Sequence, residues 1–113
     1  MKKITILEEQ LLDEYFRCER NLNANMQELE KLGLKGYLSE KVINGKVYYY
    51  IQWREDKKVK SRYVKEIDEE IKEKYKLKAI YKSNIQALKH DLKILKRALG
   101  GRIIEEYRSE FRR

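Results

Sequence analysis

The sequence predicts an α+β fold. A long N-terminal helix leads into a three-stranded antiparallel β-meander. A long C-terminal helix then forms an antiparallel helical hairpin with the first, and a short C-terminal tail helix follows. Three observations carry this prediction. Near both ends of the chain, apolar residues recur at alternating steps of three and four, the period of a helix seam. In the middle, apolar and polar residues alternate around Asn44-Gly45, the mark of a two-residue hairpin. The 113 residues include no proline and only five glycines, so turns are few and elements are long. The length suits one domain, residues 1–113, with a modest core.

The first helix is expected over residues 5–32. Its seam runs through Ile4, Leu11, Tyr15, Cys18, Leu22, Leu29 and Leu32. Asn25 falls on the same seam, where a buried amide costs stability and fixes register; the alternative there is a frayed or kinked spot in "NLNANM". Cys18 reads as a small buried hydrophobe, since a lone cysteine has no partner for an internal disulfide. Gly33 is a natural helix stop, because it can take the left-handed cap conformation.

The meander is expected over residues 36–65. The Asn44-Gly45 turn pairs Val42 with Val47 and Leu38 with Ile51. The second turn lies at Glu55-Asp56-Lys57. Read as a three-residue loop, it pairs Trp53 with Val59 and Tyr49 with Tyr63, which keeps one face consistently apolar. On that register Leu38, Val42, Val47, Tyr49, Ile51, Trp53, Val59 and Tyr63 share a covered face. The outer face holds Tyr37, Ser39, Lys41, Tyr48, Tyr50, Gln52, Arg54, Lys58, Lys60 and Arg62. Trp53 and Tyr49 are thus expected to be buried, and Tyr48 and Tyr50 to be more exposed.

The second long helix is expected over residues 66–99. Its seam runs through Ile67, Ile71, Tyr81, Ile85, Leu88, Leu92, Leu95 and Leu99, interrupted by Lys74 and Lys78. Acids at Asp68, Glu69 and Glu70 and bases at Lys96 and Arg97 match the helix dipole. Gly100-Gly101 ends it. The tail helix, residues 102–112, puts Ile103, Ile104, Tyr107 and Phe111 on one side as an apolar strip.

The net charge is +8, and its distribution is uneven. Residues 34–65 hold 9 basic and 3 acidic side chains, net +6, whereas residues 1–33 are net −2. Concentrated positive charge favours nucleic acid, an anionic membrane or an acidic protein. Tyrosine rings beside lysine and arginine narrow the choice. The cations neutralise phosphates without regard to sequence, and the rings can stack on bases. The candidate nucleic-acid-binding residues are Lys41, Tyr48, Tyr50, Gln52, Arg54, Lys58, Lys60 and Arg62. The competing reading is a solvated face whose tyrosines reflect strand propensity and whose lysines prevent edge aggregation.

Enzyme chemistry has no visible signature. His90 is the only histidine and sits beside Asp91 in a lysine-rich helix; with one cysteine it cannot build a usual structural zinc site. No glycine-rich phosphate loop is present, and the adjacent pairs Glu69-Glu70 and Glu105-Glu106 do not share a helix face. No catalytic residue, metal or cofactor is therefore expected. The start "MKKITILEEQLLDEY" meets acid at Glu8 and lacks a signal peptide's apolar stretch. A cytoplasmic protein of a bacterial host is expected.

The run "GYLSEKVINGKVYYYIQWREDKKVKSRYV" and the lysine-rich helix after it resemble a family of small uncharacterised bacterial and phage proteins. In that family a leader helix precedes a tyrosine-rich hairpin and a long helix. The resemblance covers roughly residues 5–99 and is most specific at Tyr48-Tyr49-Tyr50, Arg54-Glu55 and Lys58 to Tyr63. Some relatives carry cysteines before the tyrosine run; this chain does not, so no metal-dependent feature is carried over. The meander is also similar to the three-stranded arm domains of phage-type integrases, which bind DNA, although no recombinase domain accompanies it. These likenesses imply a phage or mobile-element origin. The expected function is that of a non-enzymatic nucleic-acid-binding protein. Its partner would be DNA, RNA or a nucleoprotein complex, with a homodimer through the tail strip; neither a membrane nor a small-molecule substrate is expected. Two alternatives remain open: an anti-CRISPR-type inhibitor that binds a nucleic-acid-guided defence effector, and a coiled-coil interaction module.

Overall fold

The computed structural model describes residues 4–111. Its elements are α1 (Ile6–Leu32), β1 (Tyr37–Ile43), β2 (Lys46–Glu55), β3 (Lys58–Val64), α2 (Glu69–Leu99) and α3 (Gly101–Phe111). The fold is α+β, in the order that the sequence predicts; residue 112 of the expected tail helix lies outside the described residues. Among the described residues no helix is long and apolar enough to cross a membrane.

Local chemistry sets the helix ends. Thr5 accepts a hydrogen bond from the Glu8 amide at 3.0 Å, and Glu8 accepts one from the Thr5 amide at 3.1 Å. This reciprocal capping box satisfies two donors that would otherwise lack helical partners. Asp68 starts α2 in a similar way, its carboxylate accepting from the Glu70 amide at 3.0 Å. Gly33 and Gly100 close α1 and α2 at φ of 59° and 90°.

The chain divides into two compact units. One holds the chain up to Gln27 together with the chain from Ser83 onward; the other is Glu28–Lys82.

The first unit is helical. Its core is Leu12, Tyr15, Phe16 and Ile104, ringed by Ile4, Leu92, Leu95, Leu99, Ile103 and Tyr107. Phe16 stacks on Tyr107 at 5.6 Å and meets Tyr15 edge-on at 5.5 Å. The apolar strip of the tail therefore packs within the chain, and Ile104 is only 2% exposed; the Phe111 side chain lies outside the described residues. Arg108 fixes α3 to α1 by donating to both oxygens of Glu19, at 3.2 and 3.0 Å, while lying over the Phe16 ring. The two long helices run antiparallel here. Asn25 accepts a hydrogen bond from Asn84 at 3.1 Å, while the Leu12 end of α1 packs against Leu95 and Leu99. Asn25 also donates to the Asn21 carbonyl at 2.7 Å, so the polar residue in the seam has partners on both helices. Cys18 is buried, and burial pushes its thiol pKa up.

The second unit holds the sheet, in the order β1-β2-β3. The first hairpin has the predicted register, with Val42 opposite Val47 and Leu38 opposite Ile51. Its turn puts Asn44 at φ 53° and Gly45 at φ 77°, both left-handed as that turn type requires. The second hairpin departs from the prediction. Its loop has two residues, Asp56 and Lys57, at φ 50° and 66°. Arg54 therefore faces Val59, Trp53 faces Lys60, and Tyr50 faces Tyr63. The predicted Trp53–Val59 and Tyr49–Tyr63 pairs do not form. A one-residue change of register moves every β3 side chain to the opposite face.

The start of α2 lies on the side of Leu38 and Tyr49. Lys72 sits over the Tyr49 ring at 4.6 Å, and the Tyr75 hydroxyl donates to the Lys35 carbonyl at 2.9 Å. Lys78 donates to the Leu34 carbonyl at 2.7 Å and to the Gly36 carbonyl. Gly36, at φ 67°, is pressed against β2; a Cβ there would fall 2.0 Å from the Gln52 carbonyl oxygen, so only glycine fits. The expected contrast in burial is not found. Trp53 and Tyr49 are half-buried, as are Tyr48 and Tyr50. The helix crosses only part of the apolar face, and Val42 at its end is 70% exposed.

Candidate nucleic-acid interface

Alternation along three strands sorts the side chains into two faces. The register places Tyr37, Ser39 and Lys41 beside Gln52, Tyr50 and Tyr48, with Ile43 beside Lys46. Ser61, Tyr63 and Val59 join them from β3, opposite Gln52, Tyr50 and Arg54. Both acidic residues of β1 and β2, Glu40 and Glu55, fall on the other face, opposite Tyr49 and Lys58. The tyrosine face thus carries Lys41, Lys46 and Arg54 and no carboxylate from any paired position.

Its rings form one cluster. The Tyr63 centroid lies 5.5 Å from that of Tyr50 and 6.1 Å from that of Tyr48, each pair tilted by about half a right angle. The Lys41 ammonium sits 4.8 Å from the centre of the Tyr50 ring, close enough for a cation–π contact. At the edge, the Tyr37 hydroxyl donates to the Gln52 side-chain carbonyl at 2.5 Å. Tyr48 and Tyr50 are half-buried by their neighbours, whereas Tyr37 and Tyr63 are 56% and 48% exposed.

Five of the eight sequence-predicted residues are brought together on this face: Lys41, Tyr48, Tyr50, Gln52 and Arg54. Lys58, Lys60 and Arg62 are not. They lie on the opposite face, across from Glu55, Trp53 and Ile51, because the second loop has two residues rather than three. That face is of mixed sign. The Trp53 indole donates to Glu55 at 3.2 Å, and Lys35 lies over the Trp53 ring at 4.4 Å. Lys72, held by Tyr49 and then Glu69, has its pKa raised above the ordinary lysine value.

Sequence reasoning missed Lys46 and Tyr63 as members of the site. Lys46 was legible, since it stands two residues before Tyr48 in the same strand. Tyr63 depended on the loop length, which the sequence does not announce. Among the described residues no group of three or more histidine, cysteine or acidic side chains is placed to hold a metal ion.

Comparison with known proteins gives one family. A domain of unknown function, DUF6788, matches residues 5–73, more than half of the chain. No curated protein and no solved structure matches.

Proposed function

We propose that this chain, which belongs to the DUF6788 family, is a non-enzymatic nucleic-acid-binding protein of phage or mobile-element origin that uses the tyrosine face of its sheet. The observation that carries this reading is the one-sided composition of that face. Lys41, Lys46 and Arg54 stand among four tyrosines, and the sheet's own acids lie on the reverse side. An unopposed cation attracts phosphate, whereas one beside a carboxylate is already compensated. The likeness of the meander to the DNA-binding arms of phage-type integrases supports the same reading.

Fluorescence anisotropy with labelled oligonucleotides tests it. Binding is expected to weaken as salt rises, with a log–log slope of about −2 to −3 if three cations each neutralise one phosphate. Lys41→Glu with Arg54→Glu should abolish binding. Lys60→Glu with Arg62→Glu changes the net charge equally on the reverse face and should leave most of the affinity. A flat salt response, or the opposite ranking of the two double variants, would reject this face as the contact surface.

A further inference from the structure

We infer that the nucleic acid this face takes is single-stranded, with bases stacked on Tyr63 and Tyr37; the inference rests on the nucleic-acid reading above. The four rings are not equivalent. Tyr48 and Tyr50 are half-buried and packed against Tyr63, and Lys41 lies over Tyr50. Tyr63 and Tyr37 keep about half their surface open. Both are held in place, Tyr63 by two neighbouring rings and Tyr37 by its bond to Gln52. A ring that is already ordered loses little side-chain entropy when a base settles on it.

Duplex DNA offers such rings nothing to stack on. Its bases are covered by one another and show only their edges in the grooves. An unpaired strand has no such restriction, because its bases can splay onto a sheet. Tyr37 lies on β1 and Tyr63 on β3, at opposite edges of the sheet. The bound strand therefore crosses the β-strands rather than following one of them, with Lys41 and Arg54 flanking its path.

The test compares labelled 12-nucleotide single strands, one DNA and one RNA, with the corresponding duplexes at one salt concentration. At least one single strand should bind about tenfold or more tightly than its duplex. Tyr63→Ala and Tyr37→Ala should each weaken single-strand binding by roughly 5- to 150-fold, the range of one lost stack. Duplex binding should fall by a smaller factor, because it draws on the cations of the face and not on a stacked base. Tyr63→Phe keeps the ring and should bind within about twofold of wild type, which separates stacking from loss of the hydroxyl; circular dichroism checks that each variant is folded. Equal or tighter duplex binding, or folded alanine variants with unchanged single-strand affinity, would overturn this inference while leaving the tyrosine face as a phosphate-binding surface. Absence of binding to every oligonucleotide would overturn both. The ranking of RNA against DNA identifies the natural strand.

Discussion

Lys78 is a cation at a seam position, only 8% exposed, and the sequence presents it as an interruption of an apolar stripe. The structure gives it a task. Its stem runs through the packed interior, and its ammonium donates to the carbonyls of Leu34 and Gly36, just after α1 ends. Burial first, and the neighbouring Lys82 second, push its pKa below the ordinary lysine value. Replacement removes the donor to both carbonyls, at a part-buried site. Lys78→Ala and Lys78→Met should each lower stability in urea unfolding by about 1–3 kcal/mol. Methionine preserves the apolar stem, so an unchanged midpoint for Lys78→Met would show that packing alone holds the segment. The folded-state pKa lies below the unfolded one, so the unfolded chain binds the proton more tightly. The contribution of this linkage is therefore most favourable above the unfolded value and is lost as pH falls through the folded value. Cys18 and Asn25 illustrate the opposite case, in which a residue's surroundings were legible. A small thiol on a helix seam is buried as expected, and a seam asparagine finds a partner on the facing helix.

At the scale of elements, the two hairpins show what sequence does and does not announce. Asn44-Gly45 declares its turn, because both residues tolerate positive φ. Asp56-Lys57 adopts the same kind of turn without declaring it, since a lysine at φ 66° is a poor fit to the left-handed region. Face consistency favours the longer loop, and the chain adopts the two-residue one instead. Lys57→Gly should relieve that conformation and raise stability by roughly 1 kcal/mol in chemical denaturation. A loss of stability would mean that the glycine's extra freedom in the unfolded chain outweighs the relief. In the helices, the three-four seam was legible, but Leu12 and Phe16 lie off it and are nevertheless buried. The reason is α3, whose Ile104 and Tyr107 widen the covered stripe of α1 beyond what a two-helix pair needs. The trace of that short helix in α1 is the apolar pair Leu12 and Phe16, which the seam alone does not call for.

For the whole molecule, the arrangement of charge was easier to read than the arrangement of surfaces. The basic middle segment and the α+β order follow directly from composition and periodicity. Which face each β3 cation occupies depends on one loop residue, and so does the membership of the site. The expectation of a homodimer drew on the tail strip, and Ile104 now sits in the core of the helical unit. Ile104→Ala is therefore expected to cost about 2–5 kcal/mol of stability, as a buried aliphatic truncation does, and to leave the sedimentation coefficient of the folded protein unchanged. If the variant keeps its stability and sediments more slowly than wild type, the strip is a contact between copies rather than a core element.

The two-residue second turn has an evolutionary consequence. A loop of two residues is about as short as an antiparallel hairpin permits, so losing one codon there cannot be absorbed by the loop and must advance β3 by one position. Lys60 and Arg62 would then cross to the side of Tyr48 and Tyr50, while Tyr63 and Val59 would leave it. A single deletion would exchange an aromatic platform for a more strongly cationic one, with no change in the residues that remain. A change of length at this turn would therefore be a compact route by which ligand preference diverges.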